Sequence, residues 1–435
     1  MNKIIRFSLV LLSLFVLASG CSKKSTSTKT GLILTPKDVL AKINTAKSSL
    51  IGGSKLPASV DLSSKLPPPG NQGAQNSCVG WSIAYGMKTY QEKTARNWDL
   101  VEGGSLKKEH VFSPAYIYNQ INKGEDNGAM FADAFNLLKT KGVATLSTEP
   151  YDESDYLSKP NEEANKEAKN YKIAWAKTID PADLKGIKSY LSKGYPVIIA
   201  VSFDENFTDT KGPVVVSSMV TDENSMGHAM LVVGYDDGKN SFRIMNSWGK
   251  EWRDGGYCWF TYDVFKKIVR EAWIAKDVEG DKESKKENEQ EITSENPVVD
   301  EILTELNISK VDYNAKNPDD PNAGNCLKIN CSVKLDNNFG NTAQIIAFIS
   351  QKDGKPVMSN DDYYAYEDGQ AAGFTSVVDI SSYNEEVRNF SIYIPYSVLN
   401  LDKTKTSSLI ATPVLFIDDF DATDGKAVPF EVSWN

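Results

Sequence analysis

Past residue 20 the chain contains no apolar run long enough to cross a bilayer, which takes roughly 20 residues. Basic charge is short as well: 48 Lys and Arg stand against 58 Asp and Glu, a formal net charge of −10. Setting aside Lys3 and Arg6 leaves 46 basic residues against the same 58 acidic ones. Phosphate backbones are bound by clustered cations, so nucleic acid is not an expected partner. Cysteine is sparse, with Cys21, Cys78, Cys258, Cys326 and Cys331 the full set. Cys326 and Cys331 lie five apart on an expected strand and face opposite sides, which excludes a bridge between them. Cys258 reads as a small buried hydrophobe. Histidine is scarcest of all: only His110 and His228 are present, so chemistry that needs an imidazole must use one of them. No metal and no cofactor is expected. The acidic run at 418–424 lacks the spacing of a calcium loop and reads as a solvated turn.

What is present is enough for large cores. Hydrophobic residues make up 40% and aromatics 10% of 435 residues, a length that suggests two or three domains. Residues 1–20 have the form of a secretory signal, with Lys3 and Arg6 ahead of a short apolar stretch. The sequence Leu17-Ala-Ser-Gly-Cys21 then resembles a bacterial lipobox, in which the cysteine thiol is acylated after cleavage. Several acyl chains on Cys21 would anchor the protein to a membrane outside the cytoplasm. Residues 21–56 are expected to be a polar tether and a short N-terminal segment, with a capped helix starting at Thr35-Pro-Lys-Asp38. Residues 57–277 hold helical patterns first and strands later, an α+β order. Helices are expected from Cys78 to Lys93, over 129–141, and from Asp180-Pro-Ala-Asp183 to Gly194. The densely charged run at 278–297 cannot bury a core and reads as a linker. Residues 298–435 alternate polar and apolar positions between Gly-, Asn- and Asp-rich turns, which suggests an antiparallel β-sandwich with an unassigned ligand or a spacer role.

Two clusters carry chemistry. In Asn71-Gln-Gly-Ala-Gln-Asn-Ser-Cys78 a glycine-containing loop runs into a helix start, where free N–H groups and the helix dipole favour a thiolate on Cys78. Gln72 on that loop can offer its amide to a developing oxyanion. Far downstream, His228 opens the apolar strand Ala229-Met-Leu-Val-Val, and Asn246-Ser-Trp-Gly249 ends the next one. A Cys–His pair needs a third group to hold the imidazole, and the Asn246 carbonyl can supply it. His110, in a charged stretch, reads as an exposed structural residue.

These motifs, in this order and spacing, resemble the papain family of cysteine peptidases over residues 57–277. The resemblance implies a helical left lobe and an antiparallel β right lobe with the active site between them. It implies Cys78 as nucleophile, His228 as acid and base, Asn246 as orienter and Gln72 as oxyanion donor. Trp248 and Trp252 would cover the His–Asn bond, Trp248 also bordering the substrate. Gly128 would meet the substrate backbone, and Glu271 or its neighbour Arg270 would lie at the floor of a specificity pocket. A lipid-anchored endopeptidase acting on peptides or proteins is the implied function. Acyl transfer and a catalytically inactive papain-like binding protein are the alternatives. There are departures. Trp81 follows the nucleophile by three positions rather than one, and no cysteines match the family's disulfides. The 22–56 segment is also far shorter than the usual inhibitory propeptide, so zymogen control is not expected.

Overall fold

The computed structural model describes residues 30–43, 45–46, 56–222, 225–278, 304–335, 342–366, 369–376, 378–379, 387–417 and 420–433. The signal segment, Cys21, the tether, the charged run beyond Val278, and Asp418 and Asp419 lie outside the described residues. Helices come first. One long helical stretch begins at Cys78–Gly80, widens into π turns over Trp81–Lys88 and continues as Thr89–Arg96. Lys88 is fully buried in the widened part, and its ammonium is bound by Glu92 at 2.7 Å, the Lys172 carbonyl at 3.2 Å, and Asp277. Such a buried cation is tolerated only because every donor is paired. Helix Pro114–Ile121 is capped by Ser113, whose side chain accepts from the Tyr116 amide. Helix Phe131–Thr140 stops ahead of Gly142, at φ +83, where a Cβ would lie 1.8 Å from the Ala168 carbonyl oxygen.

Strands then build one eight-stranded sheet, ordered Ile173–Ile179, Val269–Asp277, Val197–Phe203, Met226–Asp236, Ser241–Met245, Tyr257–Thr261 and Val215–Val216. Ser59–Asp61 pairs with the far end of Met226–Asp236. All these pairings are antiparallel except the last, where Val215–Val216 runs parallel to Tyr257–Thr261. The strand after His228 is buried on both faces, and its period of two divides it between two cores. Ala229, Leu231 and Val233 pack with the helices, while Met230, Val232 and Tyr235 join the β core of Phe242, Ile244 and Phe260. The helical lobe and the β lobe therefore meet along this strand.

Two further sheets lie in the C-terminal region. Thr304–Ala315, Cys326–Leu335 and Val387–Pro395 form one; Thr342–Gln351 and Ser407–Ile417 centre the other. Leu327, Ile329 and Ile392 from the first share a core with Ile345, Ala347 and Leu409 from the second, so the two sheets face each other. Cys326 and Cys331 are both buried and unbridged.

Two local expectations need correction. Helix Lys37–Leu40 has no side-chain cap, because it starts one residue later than expected and the cap position falls to Pro36, which has no side-chain acceptor; the Thr35 amide donates to Glu271 at 2.6 Å. The third helix runs Leu184–Ser192 and is capped by Asp183, which accepts from the Gly186 amide. Asp180 folds its carboxylate onto the Ala182 amide in the turn ahead of it, so Pro181 precedes the helix. Asp277, directly before the charged run, ends a strand and is held by Lys88, as the expected boundary at 277 requires.

Candidate active site

The Cys78 loop is pinned by the strand end that carries Asn246. The Gln72 amide donates to the Ser247 carbonyl at 2.9 Å and the Gly249 amide to the Gly70 carbonyl at 2.8 Å. Tyr151 donates its hydroxyl to the Gln72 carbonyl at 2.8 Å and lies 2.7 Å from the Ser77 hydroxyl. The Gln72 side chain has one orientation: Oε1 accepts from the Ser247 hydroxyl at 2.7 Å, and Nε2 donates to the Gln75 carbonyl at 2.9 Å and to the Thr30 carbonyl at 3.2 Å. Trp81 packs beneath the loop, 4.9 Å from the Tyr151 ring, and a Cβ on Gly70 would lie 2.1 Å from it. That close fit accounts for a tryptophan three positions past Cys78.

His228 and Asn246 meet across the antiparallel pair of strands. His228 Nε2 lies 2.8 Å from Asn246 Oδ1, which also accepts from the Ser247 amide at 2.8 Å. An oxygen already accepting from a backbone amide leaves His228 Nε2 as the donor, so Nδ1 of the neutral ring carries no proton. Nδ1 is buried and has no hydrogen-bond partner among the described residues. Trp248 stacks on the imidazole at 4.7 Å and 20°, and Trp252 meets Trp248 edge-on at 5.4 Å. The amide of Ala229, next in sequence to His228, donates to Cys78 Sγ at 3.4 Å. Sulfur, imidazole and orienting amide thus converge where the helical lobe meets the β lobe.

Water is excluded from this site. Cys78, His228 and Gln72 are all fully buried. Burial pushes the Cys78 thiol up to about 12, against the backbone N–H groups of Ala229 and Val79 that favour the thiolate. Burial also brings His228 down to about 4, opposed by its bond to Asn246. In this closed state burial therefore works against the thiolate that the helix start favours, holding the thiol up and the imidazole down.

The cover is the chain's own N-terminal segment. Residues 30–35 run through the cleft and bond to it mainly through backbone. Ala129 donates to the Gly31 carbonyl at 2.8 Å and accepts from the Ile33 amide at 3.0 Å, and Leu32 donates to the Gly227 carbonyl at 3.5 Å. Thr30 closes one end on Gln72 and Thr35 the other on Glu271. The fit is tight at Gly31, φ +99, where a Cβ would lie 2.1 Å from the Asn76 carbonyl oxygen. A segment too short to form a folded inhibitory domain therefore fills the cleft by strand pairing.

A family model described as papain family cysteine protease matches residues 56–277, just over half of the chain. The chain belongs to the papain family. Among its relatives are an uncharacterised peptidase C1-like protein of Acanthamoeba polyphaga mimivirus, 26% identical over 48% of this chain and 69% of that protein. Another is the gamete and mating-type specific protein A of Dictyostelium discoideum, 29% identical over 46% of this chain and 41% of that protein. The oryzain beta chain of rice is 28% identical over 47% of this chain and 42% of that protein. The match therefore spans well under half of the latter two relatives. Among solved structures, xylellain, a cysteine protease from Xylella fastidiosa, superposes with a TM-score of 0.50 at 25% identity, covering 58% of this chain and 97% of that one.

The remaining residues singled out in this papain-family chain are placed as follows. Gly128, at φ +103, gives its amide to the Tyr118 hydroxyl at 3.2 Å, and its missing Cβ lets Gly31 approach. Its neighbour Ala129 makes the backbone pairing. Glu271 is buried, and among the described residues its hydrogen bonds come from neutral donors: the Thr35 amide at 2.6 Å and the Trp273 indole at 2.9 Å. Arg270 is exposed and bonds instead to Ser202 and the Lys267 carbonyl. A bulge between Val269 and Glu271 separates the faces of the two side chains. His110 is half-buried rather than exposed, stacked on Trp98 at 4.6 Å with Nδ1 on the Asp99 carbonyl at 2.8 Å. Cys258 is fully buried, and burial raises its thiol far above the ordinary range. Asn76, Asp126, Ala129 and Gly227 escaped sequence reasoning; only Gly227, directly before His228, carried a signal.

Proposed function

We propose that this chain is an extracytoplasmic cysteine endopeptidase, anchored by lipid on Cys21, that cleaves peptide bonds through a thioester on Cys78. The observation that carries this reading is the unpaired, unprotonated Nδ1 of His228, with the Cys78 sulfur on the amide of the next residue. His228 Nδ1 takes the thiol proton as sulfur adds to the scissile carbonyl, and returns it to the leaving amine as the C–N bond breaks. Water then attacks the thioester, releasing the acid and restoring the thiol. Asn246 holds the imidazole, and Gln72 Nε2 faces the carbonyl oxygen, the place the Thr30 carbonyl takes in the closed cleft. A binding protein without chemistry has no use for all four groups in this arrangement. Mass-spectrometric mapping after a thiol-directed epoxide tests the reading: exclusive labelling of Cys78 supports it, and labelling elsewhere rejects it. Anchoring is tested separately by Cys21→Ser, which should move the protein from membranes to the soluble fraction; unchanged fractionation rejects it.

Two graded outcomes follow for this site. Gln72→Ala should lower kcat by about 10²-fold with little change in KM, the loss of one oxyanion donor. Glu271 concerns specificity. When residues 30–35 leave, its carboxylate keeps only the Trp273 indole, and a buried carboxylate short of partners favours a cation. We therefore assign it to the subsite for the side chain two residues before the scissile bond. In fluorogenic peptides varied only there, Arg or Lys should be preferred and Glu271→Ala should erase the preference. An aliphatic preference common to both proteins would reject the assignment.

A further inference from the structure

Asn76 lies two residues before Cys78 and has no role in the chemistry above. Its side chain is nevertheless locked. Nδ2 donates to the Asp126 carbonyl at 2.5 Å and to Asp126 Oδ2 at 3.4 Å, while the Asn76 amide donates to Asp126 Oδ1 at 2.8 Å. Asp126 is itself held by the Tyr118 hydroxyl at 2.7 Å, the same hydroxyl that accepts from the Gly128 amide. With its amide hydrogens committed to Asp126, the only group Asn76 can turn to the cleft is the acceptor Oδ1. That oxygen takes the Thr30 amide at 3.3 Å, while Gln72 Nε2 takes the Thr30 carbonyl at 3.2 Å. One residue lying at the mouth of the site is thus read on both its N–H and its C=O.

We infer that Asn76, oriented by Asp126, is a specificity-determining residue that accepts a hydrogen bond from the main-chain N–H of a polypeptide in the cleft. It complements Gln72: one side chain reads the backbone donor, the other the backbone acceptor, and together they set the chain's depth beside the thiol. The ligand class is an extended peptide with a free N–H at that position. Proline or an N-alkylated residue there covers the half-buried Oδ1 without offering it a donor and is disfavoured.

The inference rests on the peptidase reading for its substrate arm, and the test has a second arm that needs no turnover. In the full chain, Asn76→Ala should speed hydrogen exchange of the Thr30 amide by about tenfold or more, the worth of one hydrogen bond. Asp126→Ala, which frees the Asn76 amide to rotate, should give a smaller increase. In the full chain carrying Gly31→Val to open the cleft, peptides with one N-methylated amide moved stepwise across the scissile bond are compared. One position should cost about tenfold in kcat/KM with Asn76 present and nothing with Asn76→Ala, the loss appearing mainly in KM. If the N-methyl profile is the same in both proteins, or Thr30 exchange is unchanged while the melting temperature falls, Asn76 is only a tie between loops and the inference fails. Absence of all turnover would count against the peptidase reading alone, leaving Thr30 exchange to decide the role of Asn76.

Discussion

Cys78→Ala should abolish peptide turnover, a loss on the order of 10⁶-fold for a nucleophile acting in a concerted set. The substitution removes a fully buried thiol held by backbone N–H groups, the Ala229 amide at 3.4 Å among them, so a modest loss of stability is expected beside the complete loss of chemistry. Circular dichroism would show the folded sheet retained. Cys258, Cys326 and Cys331 are buried controls in the same molecule, and an epoxide should pass them over. Residual turnover within tenfold of the unsubstituted protein would require another nucleophile.

Gly31→Val in the full chain should raise the rate of Cys78 labelling and of peptide cleavage by about 10²-fold. Valine cannot adopt φ +99 without strain, and its Cβ would overlap the Asn76 carbonyl oxygen at 2.1 Å. A strand held by a few backbone bonds cannot absorb both penalties, so the closed state loses roughly 3 kcal/mol and the open fraction grows accordingly. Acid should act in the same direction. His228 sits at about 4 in the closed cleft against an ordinary 6.5. A depressed pKa contributes stability to the closed state above pH 6.5 and loses it as pH falls toward 4, by up to roughly 3 kcal/mol. Labelling of the unsubstituted chain should therefore accelerate between pH 6.5 and 4, relative to Gly31→Val, which is open throughout. Equal rates in the two proteins at neutral pH would mean that residues 30–35 do not restrict access.

Some of this was readable in the residues. Cys78, His228, Asn246 and Gln72 stood out because acyl transfer through a thiol demands those side chains at a helix start, a strand start and a strand end. The helix from Cys78 and the strand after His228 followed from spacing, since burial imposes its period on the sequence. Thr35 shows where such reasoning stops. Its motif promised a helix cap, but the cap position falls to Pro36, and the Thr35 amide binds Glu271, 236 positions away. Thr304–Ala315 reads as a strand like the rest of its region, but the bulged register by which it pairs with Cys326–Leu335 is something local pattern cannot announce.

The sequence alone determined the family and its reaction class and the order of helical and β halves, and it singled out the four groups to which we assign the chemistry. These depend on residue type and on periodicities within one element. Tertiary structure decided the surroundings of those groups: that residues 30–35 lie on them, that burial beneath this cover pushes the Cys78 thiol up and the His228 imidazole down, and that Asp126 turns Asn76 toward the chain in the cleft. Each depends on contacts between distant segments, where burial and hydrogen-bond geometry, rather than residue type, set charge and access.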